Sequence, residues 1–258
     1  IGFIGLGFMG HGMARNIRTK GYDLWVRGRS NRTPTDNLVS LGAKEAASPR
    51  QMAGVCDIIH ICLSNSPQIE ATFRGPDGIL AGARPGLIVI DTSTADPVST
   101  LTLAAELAAK GGHMVDAPLG GTPVQAEAGQ LSAMIGCDEA VVERIRPVMS
   151  CWATSIARVG EVGAGHKMKL LMNFIGLGYA ALFSEVVVLG AELGIPPATI
   201  REVIAPSRMG NGFFNTFMAY VVDRDRDSHK FSLDNAAKDI RYLNDMAANA
   251  QMVNIMAG

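Results

Sequence analysis

The sequence has no CxxC pair and no histidines at metal-ligand spacing, so Cys56, Cys62, Cys137 and Cys151 indicate neither a disulfide framework nor a zinc site. A long basic run is also missing. With 23 Lys and Arg against 24 Asp and Glu the formal net charge is −1, which argues against nucleic acid or an anionic membrane as the main partner. Charged residues make up only 18% of the 258, while 48% are hydrophobic, which excludes a disordered chain. What remains is a globular protein of one large or two ordinary domains, with small molecules as partners and a reducing cytoplasm as its setting. The chain opens on Ile1 and stops at Ala257-Gly258 with no helix end, so short pieces are expected beyond both, and the lack of a signal peptide carries little weight.

Glycine, in contrast, is plentiful and placed. Ile1 to Ile4 is a short β-compatible run leading into Gly5-Leu6-Gly7-Phe8-Met9-Gly10, a GxGxxG pattern. Met13, Ala14 and Ile17 continue at helical spacing, Gly21 ends that helix, and Tyr22 to Val26 reads as a second strand. Strand, glycine turn, helix and strand form a nucleotide-binding unit, in which Gly5 makes the tight turn, Gly7 lets backbone approach a pyrophosphate, and Gly10 allows close packing. A glycine-rich turn without a ligand is the plain alternative, and the context weighs against it. About twenty residues on, where an NAD-specific site places an acid, the segment Arg27-Gly28-Arg29-Ser30-Asn31-Arg32-Thr33 has none. Arg29 suits a bidentate contact to a 2′-phosphate, which favours NADP(H) over NAD(H). A solvated basic loop is the competing account.

Val55 to Leu63, Leu87 to Asp91 and His113 to Ala117 read as further buried parallel strands separated by helical segments. Leu63, Ser64, Asn65 and Thr94 stand at or just after strand ends, where such sheets bind ligands, and are expected to contact the cofactor. Ser and Thr there also suit capping of the next helix. The loop Asp116-Ala117-Pro118-Leu119-Gly120-Gly121-Thr122-Pro123 is rigid and offers backbone amides. From Val162 onward only helices are expected: about Gly165 to Leu193, Pro197 to Ile204, Asn211 to Val222 and Leu233 to Asn249. The fold class is therefore α/β, a Rossmann-like parallel-sheet domain over 1–162 followed by an all-helical domain over 163–258, joined by a long interdomain helix. That helix is apolar enough to suggest a membrane span, but Asn173, Ser184 and Glu185 interrupt it, and burial between its own domain, the nucleotide domain and a partner subunit explains it better.

The start of that helix carries Lys169 and Asn173, which are i and i+4 and share one face. Lys169 there suits proton exchange with a reacting oxygen, provided burial and a nearby cationic nicotinamide lower its pKa, and Asn173 suits a hydrogen bond to the same group. A snorkelling surface lysine fits the residues equally well. Lys167 must point away. The glycine-rich stretch Ser207 to Phe214, with Arg208, Phe213 and Phe214, together with Phe231, is a weaker candidate for a substrate pocket than for an ordinary helix connection. His11, His60, His113, His166 and His229 receive no catalytic or metal role.

Gly2 to Ile17, Asp116 to Leu131 and Gly160 to Asn173 resemble, in order and spacing, the signature regions of the β-hydroxyacid dehydrogenase family, which includes 3-hydroxyisobutyrate dehydrogenase and tartronate semialdehyde reductase. The resemblance covers essentially the whole chain. It implies an NAD(P)-dependent oxidoreductase that interconverts a small hydroxy acid and its semialdehyde or 3-oxo form, with Lys169 as general acid/base assisted by Asn173. It also implies a homodimer or homotetramer built through the helical domain, an active site closing between the domains, and a cofactor-proximal lysine at Lys238, next to Asp239. Substrate binding falls to Gly120, Gly121 and Thr122, where the family pattern has Ser-Gly-Gly; this departure suggests a less anionic substrate or one anchored by backbone amides and the Thr122 hydroxyl. Met172 stands where a second Asn is common. An imine reductase and a non-catalytic NADP-binding interaction protein on the same fold are the alternatives, and Lys169 counts against both.

Overall fold

The computed structural model describes residues 1–228, 231–254 and 256; His229 and Ala257-Gly258 lie outside them. The chain opens with strand β1 (Gly2–Ile4), helix α1 (Gly10–Thr19), strand β2 (Trp25–Arg27), helix α2 (Thr33–Ser40), strand β3 (Lys44–Glu45) and helix α3 (Pro49–Val55). Next come β4 (Ile58–Ile61), α4 (Ser66–Phe73), α5 (Ile79–Gly82), β5 (Ile88–Asp91), α6 (Pro97–Ala108) and β6 (His113–Asp116). These six strands are all parallel, in the spatial order β3-β2-β1-β4-β5-β6. That is the doubly wound order, and its ligand crevice lies at the carboxyl ends of the strands, where β1 meets β4.

Alternation along the strands explains why both faces are buried. Phe3, Ile88 and Ile90 join one apolar cluster with Met13, Ile17 and Trp152, whereas Ile4, Ile59, Ile61 and Val89 join another with Met52 and Phe73. β2 starts later than the expected Tyr22 because Gly21, at φ 95°, closes α1 with a Schellman pair, Gly21 N–H to the Arg18 carbonyl and Tyr22 N–H to that of Ile17. Tyr22 thereby belongs to the helix cap. Likewise Val55 belongs to α3, whose end is held by Cys56 N–H bonding the Met52 carbonyl, so the strand expected over Val55 to Leu63 shrinks to β4.

Beyond β6 the sheet continues through β7 (Leu119–Gly120), α7 (Pro123–Ala128), β8 (Leu131–Gly136), α8 (Glu139–Met149) and β9 (Ala153–Gly160). β8 runs antiparallel to β6 and β7 and parallel to β9. None of these three strands has a counterpart in the sequence expectations. β9 is largely exposed and shows no apolar alternation, and β7 has two residues. Then come α9 (Ala164–Glu192), α10 (Pro197–Ile204), α11 (Gly212–Asp223) and α12 (Leu233–Asn249), close to the expected helices. The chain divides into two compact units, Ile1–Lys169 and Leu170–Gly258, so the division falls inside α9.

Within the second unit Ile200, Phe214 and Met218 are buried, flanked by Phe183, Val186 and Phe217. α9 is long and apolar enough to cross a membrane by length and composition, and only 11% of its most apolar window is buried within the chain.

Candidate active site

Each glycine of the first turn meets a different constraint. Gly5 sits at φ 94°, and a Cβ on it would run into the Cys62 carbonyl. A Cβ on Gly10 would strike the Gly5 carbonyl oxygen and the Phe3 ring. Gly7 differs: an added Cβ meets nothing within 4 Å, so its backbone borders open space. Turn, close packing and open approach are the three requirements of a pyrophosphate loop. α1 has no side-chain cap and no acid in its first turn, which suits its N-terminal amides to an anion. Leu6 is buried in the core, so only its backbone can face a cofactor, while Phe8 is 88% exposed and Met9 half-buried.

Two clefts flank this loop. One, of about 290 Å³, is lined by Gly5, Arg27, Arg29, Leu63 and Gln68 among others. It lies where the adenosine half of a dinucleotide is held in this topology. Arg27 anchors itself to the carbonyls of Ala46 and Ala47, at 3.0 and 2.6 Å. Arg32 is committed to Glu45 and Asp36, which raise its pKa further. Arg27 and Arg29 both line the cleft and neither belongs to that ion-pair network; Arg29 and Ser30 beside it are exposed. The second cleft, of about 580 Å³, runs along Leu6, Gly7 and Phe8 to Asn31 on one side and Pro123 and Val124 on the other.

At the strand ends, Leu63 N–H donates to Ser93 Oγ at 2.9 Å, and Asn65 caps α4 by accepting from Gln68 N–H. Ser64 is exposed and Thr94 half-buried. Thr122 caps α7 in a capping box with Gln125, whose side chain accepts the Thr122 N–H at 2.9 Å. That amide is therefore occupied and Gly120 is paired with Ser132 in the sheet, while Gly121 is exposed at φ 126°.

Lys169 is half-buried on α9, whereas Lys167 is exposed. One turn beyond Lys169, Asn173 Nδ2 donates to Asp239 Oδ2 at 2.6 Å. A carboxylate only accepts, so Asp239 fixes which way the amide points and leaves the Asn173 carbonyl oxygen facing away from it. Asp239 is 3% exposed and pairs with Lys238 at 3.2 Å, whose ammonium lies 5.6 Å from the centre of the Tyr242 ring.

A buried polar cluster joins residues with no role assigned from sequence, although Asp116 and His166 lie within two of the signature segments. Asp91 and Asp116 end β5 and β6 side by side and are essentially fully buried, together with Thr100 and His166. An acid closing an apolar strand such as Leu87 to Asp91 is costly to bury without partners, and that is the sequence feature that marks it. Burial pushes the Asp91 carboxyl up, opposed by nearby His166. The cysteines are pushed up by burial too, Cys62 and Cys137 to about 11, which makes them inert. His60, stacked on Phe3, is held down to about 3. No cluster of His, Cys, Asp and Glu among the described residues suits a metal ion.

Comparison with known proteins matches this geometry. Residues 1–160 fit the family model of the NAD binding domain of 6-phosphogluconate dehydrogenase, and 163–257 that of the NAD-binding region of NADP-dependent 3-hydroxyisobutyrate dehydrogenase. The chain is similar to 2-(hydroxymethyl)glutarate dehydrogenase of Eubacterium barkeri, 38% identical over 208 residues covering 80% of this chain and 68% of that one. It is similar to 3-sulfolactaldehyde reductase of Escherichia coli (strain K12), 33% identical over 96% of this chain and 83% of the relative. The crystal structure of 3-hydroxyisobutyrate dehydrogenase from Salmonella typhimurium superposes with a TM-score of 0.85 at 30% identity, covering 99% and 89% of the two chains. An imine reductase of Streptomyces aurantiacus, at 21% identity and a TM-score of 0.68, shares the fold alone. With a nucleotide loop of this build, a helical second unit and relatives that are dehydrogenases and reductases, the chain belongs to the β-hydroxyacid dehydrogenase family and is an NAD(P)-dependent oxidoreductase acting on hydroxyl and semialdehyde groups.

Proposed function

We propose that the protein is an NADP(H)-preferring reductase of small semialdehydes or 3-oxo acids, with Lys169 as general acid/base and Asn173 beside it. The observation that carries this reading is the placement on α9: a half-buried lysine one turn before an asparagine whose amide is oriented by the buried Asp239. When bound, the cofactor supplies the hydride. On reduction Lys169 Nζ donates a proton to the carbonyl oxygen as it becomes a hydroxyl, and on oxidation the neutral amine takes that proton back. The Asn173 carbonyl oxygen, turned away from Asp239, accepts from the hydroxyl or from the ammonium and so keeps the two in line.

Cofactor binding is assigned to the Gly5–Gly10 loop, to Arg27, Arg29, Ser30, Leu63, Ser64, Asn65 and Thr94, and to Lys238. Arg29 is assigned to the 2′-phosphate because the neighbouring Arg32 is already neutralised by Glu45 and Asp36. Gly120, Gly121 and the Thr122 hydroxyl hold the substrate. The exposed apolar face of α9 is covered in a homodimer or homotetramer, in a soluble cytoplasmic protein.

The test is loss of NADPH absorbance with 3-sulfolactaldehyde, 2-hydroxy-3-oxopropionate and succinic semialdehyde, repeated with NADH. Turnover of at least one with a clear preference for NADPH is expected. Lys169→Ala is expected to lower kcat by at least about 10³-fold with NADPH binding within a few-fold of wild type. Retained turnover in Lys169→Ala sinks the catalytic assignment.

A further inference from the structure

We infer that Asp116, His166 and Thr100 are positioning residues for Lys169: they form a buried clamp that fixes the first turn of α9, and the rate of proton transfer depends on it. This rests on the proposed role of Lys169.

A helix start ordinarily takes its cap from the residue just before it, through a Ser, Thr, Asp or Asn side chain. Here the local residues are Val162 and Gly163, which offer no such acceptor. The cap comes from the sheet instead. Asp116, at the end of β6, accepts from Gly163 N–H through Oδ1 at 2.7 Å and from His166 N–H through Oδ2 at 2.8 Å. One carboxylate thus satisfies two first-turn donors and sits where the helix dipole is positive. Space for it is reserved in the sequence. A Cβ on Gly136 would collide with Asp116 Oδ1, and a Cβ on Gly165 would stand 2.9 Å from Asp116 Oδ2 and 2.8 Å from the Asp116 carbonyl oxygen.

The second half of the clamp is the imidazole. His166 Nδ1 lies 2.7 Å from Thr100 Oγ1, and that hydroxyl gives its hydrogen to the Asp96 carbonyl at 3.0 Å. Nδ1 is then the donor to Thr100. Nε2 faces Asp91 Oδ2 at 3.9 Å, and the other Asp91 oxygen accepts from Ser93 N–H. His166 is therefore held through its ring by Thr100 of α6 and through its backbone N–H by Asp116 of β6, while Nε2 makes no hydrogen bond. Lys169 follows three residues later on a neighbouring position of the same helix face. A misplacement of about 1 Å at a reacting group costs on the order of 10²-fold in rate, so an anchor one turn away has kinetic weight.

Asp116→Asn keeps the volume but replaces one acceptor oxygen by an NH2 that faces a backbone donor. Thr100→Val removes the imidazole's acceptor, and Thr100→Ser retains it. Two readouts are taken on the full chain saturated with NADPH. Amide hydrogen exchange at Gly163 and His166 is expected to speed up at least about tenfold in Asp116→Asn. With the aldehyde that wild type turns over, kcat is expected to fall about 10- to 100-fold, with a larger primary isotope effect from 4-deuterated NADPH and an NADPH Kd within twofold of wild type. Thr100→Val should show a smaller fall that Thr100→Ser restores. Wild-type exchange rates and kcat in both Asp116→Asn and Thr100→Val overturn the clamp, as does a loss of kcat that merely tracks the fraction folded. If Asp116→Asn does not fold, Thr100→Val and its serine control decide. Inactive Lys169→Ala with unimpaired clamp variants refutes only this inference, whereas active Lys169→Ala refutes the reading beneath it. The exchange measurement needs no substrate.

Discussion

The two units treat apolar residues in opposite ways. In the first, strands are covered on both faces and the large side chains Phe3, Phe73 and Trp152 are fully buried. In the second, three residues form the buried cluster, while Val188, Leu189, Leu193 and Val203 are each more than 60% exposed. Apolar residues therefore build an interior in the first unit and much of the surface in the second. Exposed apolar surface of that extent is what the proposed homo-oligomer would cover.

The largest effect expected from challenging this contrast is on association. Val188→Asp combined with Leu189→Glu puts two charges on the exposed face of α9, and burying each original side chain against a partner contributes about 1.5–3 kcal/mol. Light scattering should show a smaller particle, with NADPH binding retained; an unchanged mass would remove α9 from the interface. A smaller but clear effect is expected from one methyl group in the first unit. Gly12→Ala places a Cβ 2.6 Å from the backbone of Ala126 and Glu127 on α7, and overpacking of this kind costs about 1–3 kcal/mol in urea unfolding. Gly178→Ala, whose Cβ meets nothing within 4 Å, should instead stabilise the helix slightly. Equal destabilisation by both would erase the distinction.

Arg29→Ala should weaken NADPH binding about 10- to 100-fold, the loss of a charged hydrogen bond, and leave NADH unchanged. Fluorescence titration with both cofactors checks it, and equal weakening of the two would reassign the residue. The smallest effect at neutral pH belongs to His60. Its ordinary value of 6.5 applies in the unfolded chain, while burial holds it down to about 3 in the folded one. The unfolded chain binds more protons between those values, so stability is full above pH 6.5 and falls as pH drops toward 3. His60→Leu should flatten the Tm profile across that window, and an unaltered slope would assign the acid sensitivity to other groups.

How much of this was legible depends on whether the cause lay nearby in the sequence. The glycine loop, strands β1, β2, β4, β5 and β6 and the four helices from α9 onward follow from local periodicity and turn residues, whereas β3 and β8 do not. Lys169 and Asn173 were paired by spacing alone. β7 and β9 were not, because a two-residue strand and a mostly exposed one leave no pattern. The hydrogen bond from Asn173 to Asp239 joins residues 66 apart. Asp116 lies 47 residues from the Gly163 amide it caps. Such partners are set by topology, and the only local trace is an acid at the end of an apolar run.

The distant origin of that cap bears on the order in which the chain acquires its shape. A helix with a local cap can begin forming as soon as its own residues are available, whereas the first turn of α9 waits for β6 to be in place. Nucleation of α9 is therefore expected further along the helix, with the turn before Lys169 closing late, once the sheet has assembled. During synthesis the sheet residues emerge first, so the scaffold that supplies Asp116 precedes the helix that needs it.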